Sequence, residues 1–567
     1  MNRWIAIAIT LLCLLPAHLA RAQSPVDDAV AGASTWLIQR RGDRPHWESS
    51  GDPPEFWEME NDPDNGQWGG TTSLCVYALL AARMSPADPD LAPAIDWMLQ
   101  APMPGVYAVT WRILACSYLP QTEQVKAVVA QDANYLLRCV IPEGDFAAGH
   151  FDFGIVPRRR EGPYNLSASA FGVLGLATAS RLGYEVPEQF WTVADQAWRR
   201  NQRPDGSWGY QHSESYDARP SSRSMTAAGI ASLLTLRQRI LTANPKADCR
   251  GNADDPSIDA ALVWLAQQPD LYDIDAESQS DWPSIVPWTV AQAAIAGGDL
   301  TPGRGDWFSD GARHILADQR DNGSWPGSSG RLNDVRTTAL QLLFLARGRS
   351  PIFAAKLRWT VFDDGTTRLA KWNQRPMDLA GAADFASKQI GGELHWKTTD
   401  HPNVAESPLL FIAGGESPFS MPGEMQASLK AFATEGGLVL ASADCGNDRF
   451  SGGFVRLIES LYAREGFTFR PLPADHPIYN QTFDLTGKRR PRNILGLGDG
   501  SRELFILIPK QDLGRGWQTG RDELALQLGV NLHAYATARV GLQFKSITTP
   551  QSPGPSPGPS PGPSPSR

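Results

Sequence analysis

A repeat in the first half of the chain is the feature that most limits what this sequence can fold into. Gln202–Trp208 matches Gln319–Trp325, with the Gln six positions before the Trp in both copies, and Asp64–Gly69 carries the same turn a third time. The Asp-Gly or Asn-Gly pair favours a sharp turn, because glycine adopts a positive φ at little cost. Each turn leads into a helix rich in small residues, predicted at Thr71–Ala82, Ser224–Leu236 and Asp334–Ala346.

Weaker copies of this unit begin near Ile95, Asn134 and Ala260, so we predict about six helix pairs between residues 28 and 348. In each pair an amphipathic helix precedes the helix rich in small residues. Because small residues let helices approach closely, the second helices are predicted to form an inner ring. Six pairs can close into an α/α toroid, and closure would bury both ends of the repeat array.

This Gln…Gly-x-Trp pattern resembles the repeats of the prenyltransferase and squalene/terpene cyclase superfamily, over more than half of the chain. The resemblance implies the toroid fold. Cyclases of this kind that protonate their substrate need an Asp-x-Asp-Asp motif, and the nearest segment here is Asp273–Glu277. Protein prenyltransferases hold zinc with Asp, Cys and His, but no Cys follows Asp334 in its helix. Isoprenoid cyclisation is therefore the least favoured function.

From about Lys356 the pattern changes to alternating strands and helices, which predicts a doubly wound, mostly parallel α/β sheet of Rossmann or flavodoxin type. The predicted strands are Leu357–Phe362, Leu409–Ala413, Leu438–Ala441 and Leu504–Ile508. The predicted helices are Asp378–Ile390, Pro422–Thr434, Gly453–Arg464 and Glu523–Ala536.

Two strings in this second domain, Leu409–Gly415 and Gly436–Leu440, resemble class I glutamine-amidotransferase-like domains. The whole segment looks more like domain of unknown function 4159, a bacterial family without an assigned reaction. The shared features are Asp444-Cys445-Gly446, Asp475-His476-Pro477 and Asp512–Trp517, in a common order across about 190 residues.

The first residues of the chain predict its location, and composition predicts its domain bounds. Residues 1–22 have a positive start, an apolar stretch and a small-x-small site, so we expect a signal peptide cut after Ala22 and a secreted or periplasmic protein. We expect the toroid over 23–350, the α/β domain over 356–545 and a disordered Pro/Gly/Ser tail over 546–567. No later segment is predicted to span a membrane. The net charge of −9 argues against binding to nucleic acid.

Candidate catalytic residues in the α/β domain surround Cys445. It follows a predicted central strand, where ligands of such sheets bind, and His476 could act as its base. Asp444 beside it would oppose thiolate formation, and the amidotransferase Gly-x-Cys-x-Gly and His-Pro-Glu motifs are absent. A structural role of Cys445 is the alternative.

Asp444 could instead form an acidic pocket with Asp512, Asp363 or Glu416 and bind a divalent cation, although such carboxylates more often cap helices. No cofactor is predicted. The other mature cysteines suggest at most one disulfide, with Cys445 as the candidate for the unpaired thiol. Buried free thiols are expected at Cys75, Cys116 and Cys139.

In the toroid, an insertion at Ile141–Gly162 supplies Glu143, His150 and Asp152 for acid/base work or ligand binding, with a polar surface lid as the alternative. Trp208 and Trp325 belong to the repeat turns and are expected to pack in the core. Other Trp residues could stack on a sugar or line an apolar pocket; these are Trp57, Trp282 and Trp288.

Together these observations predict an exported two-domain protein that binds a small molecule, a glycan or an isoprenoid, or an envelope protein, through an aromatic-lined toroid. The enzyme alternative is a polysaccharide-processing lyase or hydrolase that uses acids such as Glu143 and Asp152. No complete catalytic motif favours either domain as an enzyme.

Overall fold

The computed structural model of this chain describes most of both predicted domains. It covers residues 24–49, 65–142, 147–155, 164–210, 220–243, 252–268, 270–273, 283–298, 306–327, 333–487 and 490–540. The predicted signal peptide and tail lie outside the described residues, as do Trp57, Glu143 and Trp282. No helix among the described residues combines the length and the apolar character needed to span a bilayer.

The first half of the described chain is helical. The helices are α1 (Pro25–Arg41), α2 (Gly70–Ala81), α3 (Ala92–Gln100), α4 (Val106–Cys116), α5 (Glu123–Cys139), α6 (Leu166–Arg181), α7 (Glu188–Arg200), α8 (Arg223–Ala243), α9 (Pro256–Ala266), α10 (Val286–Ala296), α11 (Trp307–Ala317) and α12 (Asp334–Gly348). The even-numbered helices pack against one another in sequence, and α12 packs against α2. This closed inner ring, with the odd-numbered helices outside it, confirms the predicted α/α toroid.

In the repeat turns, a buried Trp joins the outer helix to the inner helix that follows it. The indole Nε1 of Trp208 donates to the carbonyl of Trp198, ten residues earlier, and its backbone N–H donates to Thr226 Oγ1 (3.0 and 3.1 Å). Trp325 makes the same two bonds to Ile315 and Thr338. Both Trp side chains are buried, which confirms their predicted packing role.

The first copy of this turn lies at a different Trp from the one predicted. Trp47, rather than Trp68, donates its indole N–H to a carbonyl ten residues earlier, that of Leu37, and its backbone N–H to Thr72 Oγ1 (2.8 and 3.0 Å). Trp68 instead packs edge-on against Trp97. The turn before Trp47 lacks the Asp/Asn-Gly-Ser sequence, so the motif did not reveal it.

The repeat Gln residues connect neighbouring units and close the ring. Gln202 Nε2 donates to the carbonyl of Ser257 in the next outer helix (2.7 Å). Gln319 Nε2 donates in the same way to the carbonyl of Ala29 in α1, which joins the sixth unit to the first (3.0 Å). Gly323 has φ +88° and lies so close to the backbone of Gly32 that a Cβ there would meet the Gly32 carbonyl oxygen at 2.4 Å.

The second half of the chain forms a seven-stranded sheet in the order β4-β1-β5-β6-β9-β8-β7. Its strands are β1 (Ile352–Leu357), β4 (His395–Thr399), β5 (Leu409–Gly414), β6 (Leu438–Ala443), β7 (Arg470–Pro471), β8 (Leu495–Gly498) and β9 (Glu503–Ile508), and a separate hairpin contains β2 (Thr360–Asp363) and β3 (Thr366–Leu369). Its helices are α13 (Asp378–Ile390), α14 (Gly423–Thr434), α15 (Asp448–Leu461), α16 (Leu513–Thr519) and α17 (Glu523–Val540). The five strands from β4 to β9 are parallel, which confirms the predicted mostly parallel sheet.

Several element boundaries differ from the prediction. The predicted strand Leu357–Phe362 is two elements, since β1 ends at Leu357 and β2 begins in the hairpin at Thr360. The elements that were not predicted are the strands β1, β3, β4, β7 and β8 and the helix α16. β1 escaped notice because Ala354-Ala355-Lys356 has weak strand propensity, although all three residues are buried.

The α/β domain sits on the end of the toroid where the inner helices finish. The backbone N–H of Thr398 in β4 donates to the carbonyl of Gly298, just after α10 (2.8 Å). On another side, the side chain of Asn252 bonds the backbone at Ala370 and Asn373 (both 2.9 Å). Ala383 and Asp384 of α13 line the space inside the inner ring.

Candidate functional site

A cavity of about 810 Å³ lies inside the inner ring and is bounded at one end by the α/β domain. All six inner helices contribute to its wall, and many of the wall residues are small, such as Ala177 and Ala231. From the α/β domain, α13 and the segment 391–396 complete it. A cavity of this size and mainly apolar lining is typical of a small-molecule site.

Trp288 of the cavity lining belongs to a cluster of three aromatic rings. Trp288 lines the cavity from the first turn of α10, and its ring stacks on Phe171 of α6 (centroids 5.1 Å apart, interplanar angle 26°). Trp111 contacts both rings. The indole Nε1 of Trp288 has no hydrogen-bond partner among the described residues. Trp288 thus lines a cavity, as one of the two predicted alternatives has it, and its role in ligand binding stays a prediction.

One charged cluster at the α/β end of the cavity is centred on Glu393. Arg347 Nη2 donates to Glu393 Oε1 (2.6 Å) and the Tyr118 hydroxyl donates to Oε2 (2.5 Å). His395 Nε2 lies 3.1 Å from Oε1. Burial opposes ionisation of Glu393, but Arg347 and His395 outweigh it and hold the pKa of Glu393 well below its usual value. This cluster is an internally compensated contact between the two domains.

A second charged cluster in the same lining is centred on Asp384 of α13. Its carboxylate accepts a hydrogen bond from Gln238 Nε2 (3.0 Å) and lies 3.6 Å from Arg181 and 3.9 Å from Arg239. Lys388 Nζ donates to the carbonyl of Arg181 (2.8 Å). Burial lowers the pKa of Arg239 to about 10, because its guanidinium is poorly solvated.

The predicted residues of the toroid insertion lie in different surroundings. His150 is fully buried, its ring stacks on Tyr164, and its two nitrogens lie within hydrogen-bond distance of Ser169 and Asn201. These surroundings are those of a packing residue. Asp152 is half-buried. The described part of the insertion, 147–155, includes buried residues 147–151, so this part is not the surface lid that we considered.

In the α/β domain, charged residues gather at the edge where the parallel strands end. Lys356 in β1 is buried and donates to Asp378 Oδ2 in the first turn of α13 (2.7 Å) and to the carbonyl of Arg375 (2.8 Å). Arg375, also buried, bonds Asp512 Oδ2 beyond β9 (2.8 Å). In a sheet of this strand order, the switch in connection direction between β1 and β5 is where ligands commonly bind.

Asp444, the residue that follows β6, differs from its neighbours. It is 1% exposed, and neither carboxylate oxygen has a hydrogen-bond partner in the part of the chain that the structure describes. Burial raises the pKa of Asp444 to about 8; Lys356 opposes this shift, while Asp512 and Asp378 add to it. Asp444 therefore holds a proton at neutral pH, which brings the local charge close to balance.

Cys445 is not the unpaired thiol that the sequence suggested. It is disulfide-bonded, whereas Cys75, Cys116 and Cys139 are free and buried as predicted. Its φ of 56° is uncommon for a residue with a side chain, and its backbone N–H donates to Asp512 Oδ2 (2.8 Å). A sulfur in a disulfide has no thiolate to act as a nucleophile, so the proposed nucleophilic role does not apply to this state.

His476 is not a base for Cys445. Its Nε2 lies 3.4 Å from Glu503 Oε1 at the beginning of β9, whereas Cys445 follows the end of the parallel strand β6. The two residues are thus at opposite edges of the sheet. Five residues of a strand span about 16 Å, which no side chain bridges.

The acidic pocket forms only in part. Asp444 and Asp512 come together with Asp378, but Asp363 and Glu416 both pair with Arg368 instead. Among the described residues no group of three or more His, Cys, Asp or Glu side chains is placed to hold a metal ion. Lys356 and Arg375 supply the positive charge at this edge.

Sequence reasoning missed the charged residues at the domain junction. These residues belong to no motif, because they meet only when the α/β domain docks on the ends of the inner helices; they are Glu393, Arg347, Asp384 and Arg239. At the sheet edge, the sequence position of Lys356 could have indicated a buried ion pair. A charged residue inside an apolar strand is expected to have a buried partner.

Comparisons with known proteins find different matches for the two halves of the chain. No curated protein matches this chain. The helical half is similar in fold to an inactive variant of α-1,6-mannanase GH76A of Salegentibacter sp. HEL1_6 in complex with α-1,6-mannotriose (11% identity, TM-score 0.39, 56% of this chain and 98% of that one). A variant of the type II terpene cyclase MstE from Scytonema, in complex with geranylgeranyl dihydroxybenzoate, is also similar (14%, 0.34, 57% and 97%).

A third similar structure is a possible member of the GH105 family from Salmonella enterica (12% identity, TM-score 0.38, 57% of this chain and 93% of that one). Likenesses at this level do not transfer an activity to this chain. In the other half, residues 366–537, which run from β3 into α17, match the family described as "Domain of unknown function (DUF4159)".

Proposed function

We propose that this protein is an exported two-domain binding protein whose toroid holds a small-molecule ligand, a glycan or an isoprenoid, in the cell envelope. The observation that carries the proposal is the cavity of about 810 Å³ inside the inner ring, which has Trp288 in its lining and is bounded at one end by the α/β domain. Aromatic and aliphatic walls provide binding free energy by burying apolar surface, and the polar end provides orientation.

The charges of the cavity favour binding over acid/base catalysis. Asp384 and Glu393 are the acids among the described residues of its lining, and both are paired with Arg. A general acid needs a carboxyl group that keeps its proton near neutral pH. The pKa of Glu393 is shifted in the opposite direction, which suits a structural contact.

The enzyme alternative, a polysaccharide-processing lyase or hydrolase, rests on Asp152. The carboxylate of Asp152 acts electrostatically on Tyr107, whose ring packs edge-on against Phe171, the ring on which Trp288 stacks (4.7 Å). In this alternative Asp152 acts on a bound sugar together with Glu143. This alternative predicts that Asp152→Asn abolishes polysaccharide turnover and leaves ligand binding intact.

Filling the cavity tests the proposal. Ala231 lies on α8, lines the cavity and is only half-buried, so a larger side chain in Ala231→Phe extends into the cavity, while Ala231→Ser is the matched control. Native mass spectrometry of the mature protein from an exporting host is expected to show a bound glycan or isoprenoid on the wild type and on Ala231→Ser. Ala231→Phe is expected to carry less of it.

A titration gives an answer when no ligand co-purifies. The neutral apolar probe N-phenyl-1-naphthylamine is expected to bind the wild type and Ala231→Ser saturably, and Ala231→Phe at least about tenfold more weakly. The proposal is wrong if the probe does not bind the wild type saturably, or if all three proteins bind it equally.

A further inference from the structure

The Asp384 cluster at the domain junction has more positive than negative charge. Arg181, Arg239 and Lys388 face the single carboxylate of Asp384, and all four residues line the cavity. Over the whole described lining there are four Arg or Lys side chains and two acids. Because Glu393 is already matched by Arg347, the two excess positive charges belong to the Asp384 cluster.

Arg239 is the least compensated member of this cluster. Its side chain is only 13% exposed, its nearest approach to Asp384 is 3.9 Å, and its Nε has no hydrogen-bond partner among the described residues. A buried donor without a partner costs free energy, and guanidinium groups form strong paired bonds with carboxylates and phosphates. This donor and the local charge therefore both favour an anion.

We infer that Arg181, Arg239 and Lys388 form an anion-binding site at the domain junction, and that the ligand of the toroid is an apolar molecule with a carboxylate or phosphate group. This inference rests on the proposed function, because it assigns the chemical class of the ligand in the same cavity. The anionic group lies against residues of both domains, two from the inner helices α6 and α8 and one from α13. The apolar part lies along the small residues of the wall.

The apolar part of this ligand is required by the surroundings of the cluster. Ala177 and Ala231 on the inner helices, and Ala380 and Ala383 on α13, line the same cavity as the cationic groups. A free inorganic anion would leave this apolar surface in contact with water. A molecule with both an anionic and an apolar part satisfies the guanidinium groups and buries the wall.

Two fluorescent probes that differ only by an anionic group separate this inference from the proposed function. The probe 8-anilinonaphthalene-1-sulfonate carries a sulfonate on the ring system of N-phenyl-1-naphthylamine. The full chain is expected to bind the sulfonate probe at least about tenfold more tightly than the neutral probe, as expected for a hydrogen bond to a charged group. Equal binding of the two probes contradicts the anion site but leaves the proposed function standing. Binding of neither probe contradicts both.

Two substitutions move the preference in opposite directions. Arg239→Gln is expected to remove most of the preference for the sulfonate probe. Asp384→Asn removes the one competing carboxylate and is expected to strengthen sulfonate binding, which a general loss of stability cannot do. The matched control is Arg464→Gln, because Arg464 is exposed on the α/β domain and outside the cavity lining. An unchanged preference in both Arg239→Gln and Asp384→Asn overturns the inference.

Competition then distinguishes the two anionic groups. Decanoate and decyl phosphate are each expected to displace the sulfonate probe, and the better competitor of the two identifies the anionic group. Decanol, which lacks an anionic group, and inorganic phosphate, which lacks an apolar part, are expected to displace the probe at least about tenfold less well. Displacement by inorganic phosphate alone, as effectively as by decyl phosphate, shows that the apolar wall contributes nothing and contradicts the assigned ligand class.

Discussion

Replacing Asp444 with Asn is expected to change how the stability of the α/β domain depends on pH. Asp444 is buried at the end of β6, with no hydrogen-bond partner for its carboxylate oxygens among the described residues, and burial raises its pKa from 3.8 to about 8. In the unfolded chain the same group loses its proton near pH 3.8. Between these two values the native state binds more protons than the unfolded state.

The sign and size of the effect follow from this difference. The unfolding free energy of the wild type falls by about 1.4 kcal/mol for each pH unit between about 4 and 8, and it has lost about 4 kcal/mol at pH 7. Asn has no charge to lose at any pH, but its buried amide N–H group costs about 1–3 kcal/mol without a partner. Asp444→Asn is therefore expected to be more stable than the wild type at pH 7 by about 1–3 kcal/mol, and less stable at pH 4.

Hydrogen exchange of the full-length protein measures this effect where it arises. Peptides from β5, β6 and β9 report the unfolding free energy of the sheet, and comparison with the wild type at each pH removes the intrinsic pH dependence of exchange. Asp363→Asn, at an exposed carboxylate of the hairpin, is the matched control. The reasoning is refuted if Asp444→Asn is the less stable protein at both pH 5 and pH 7.5 by a constant amount.

Two further predictions concern ring closure and the domain junction. Gln319→Ala is expected to lower the free energy of unfolding of the toroid by about 1–2 kcal/mol, as much as the matched Gln202→Ala, because both residues connect neighbouring units. Thermal unfolding measures this effect. An unchanged unfolding temperature of Gln319→Ala would mean that the ring is open. Glu393→Gln is expected to cost about 3 kcal/mol, because it leaves the buried Arg347 without its carboxylate. The pKa of Glu393 is lowered in the native state, so the stability that this ion pair contributes is present above pH 4.5 and is lost as the pH falls further. Hydrogen exchange at the end of α12 is therefore expected to rise at low pH in the wild type and not in Glu393→Gln.

The toroid could be predicted because its units repeat the same local physics. At Trp208 and Trp325 one side chain closes the turn with a bond to a carbonyl ten residues earlier, so the same residue types recur at the same spacing. At Trp47 the bond is conserved in kind, but the turn before it has another sequence. The sequence therefore identified the repeats whose turns contain Gly-Ser-Trp and misplaced the first one.

The sites were much harder to predict than the fold. Arg239 and Asp384 are 145 residues apart, and Lys356 and Asp512 approach the same sheet edge from different strands. Such pairs have no fixed spacing, because docking of the domains and pairing of the strands bring them together. The predicted Cys445 and His476 pair failed for the same reason, since adjacency in a motif does not determine which edge of a parallel sheet each residue reaches.

The helix α13 belongs to both charged regions of this protein. Asp378 in its first turn bonds Lys356 of β1, and Asp384, six residues later, faces the cavity of the toroid. At a rise of 1.5 Å per residue the two carboxylates are attached to the helix about 9 Å apart along its axis, a length over which a helix is stiff. We therefore expect a ligand that displaces Asp384 to displace the Lys356–Asp378 pair as well. Hydrogen exchange in β1 is then expected to change when the sulfonate probe is added, and unchanged exchange would show that α13 does not couple the two regions.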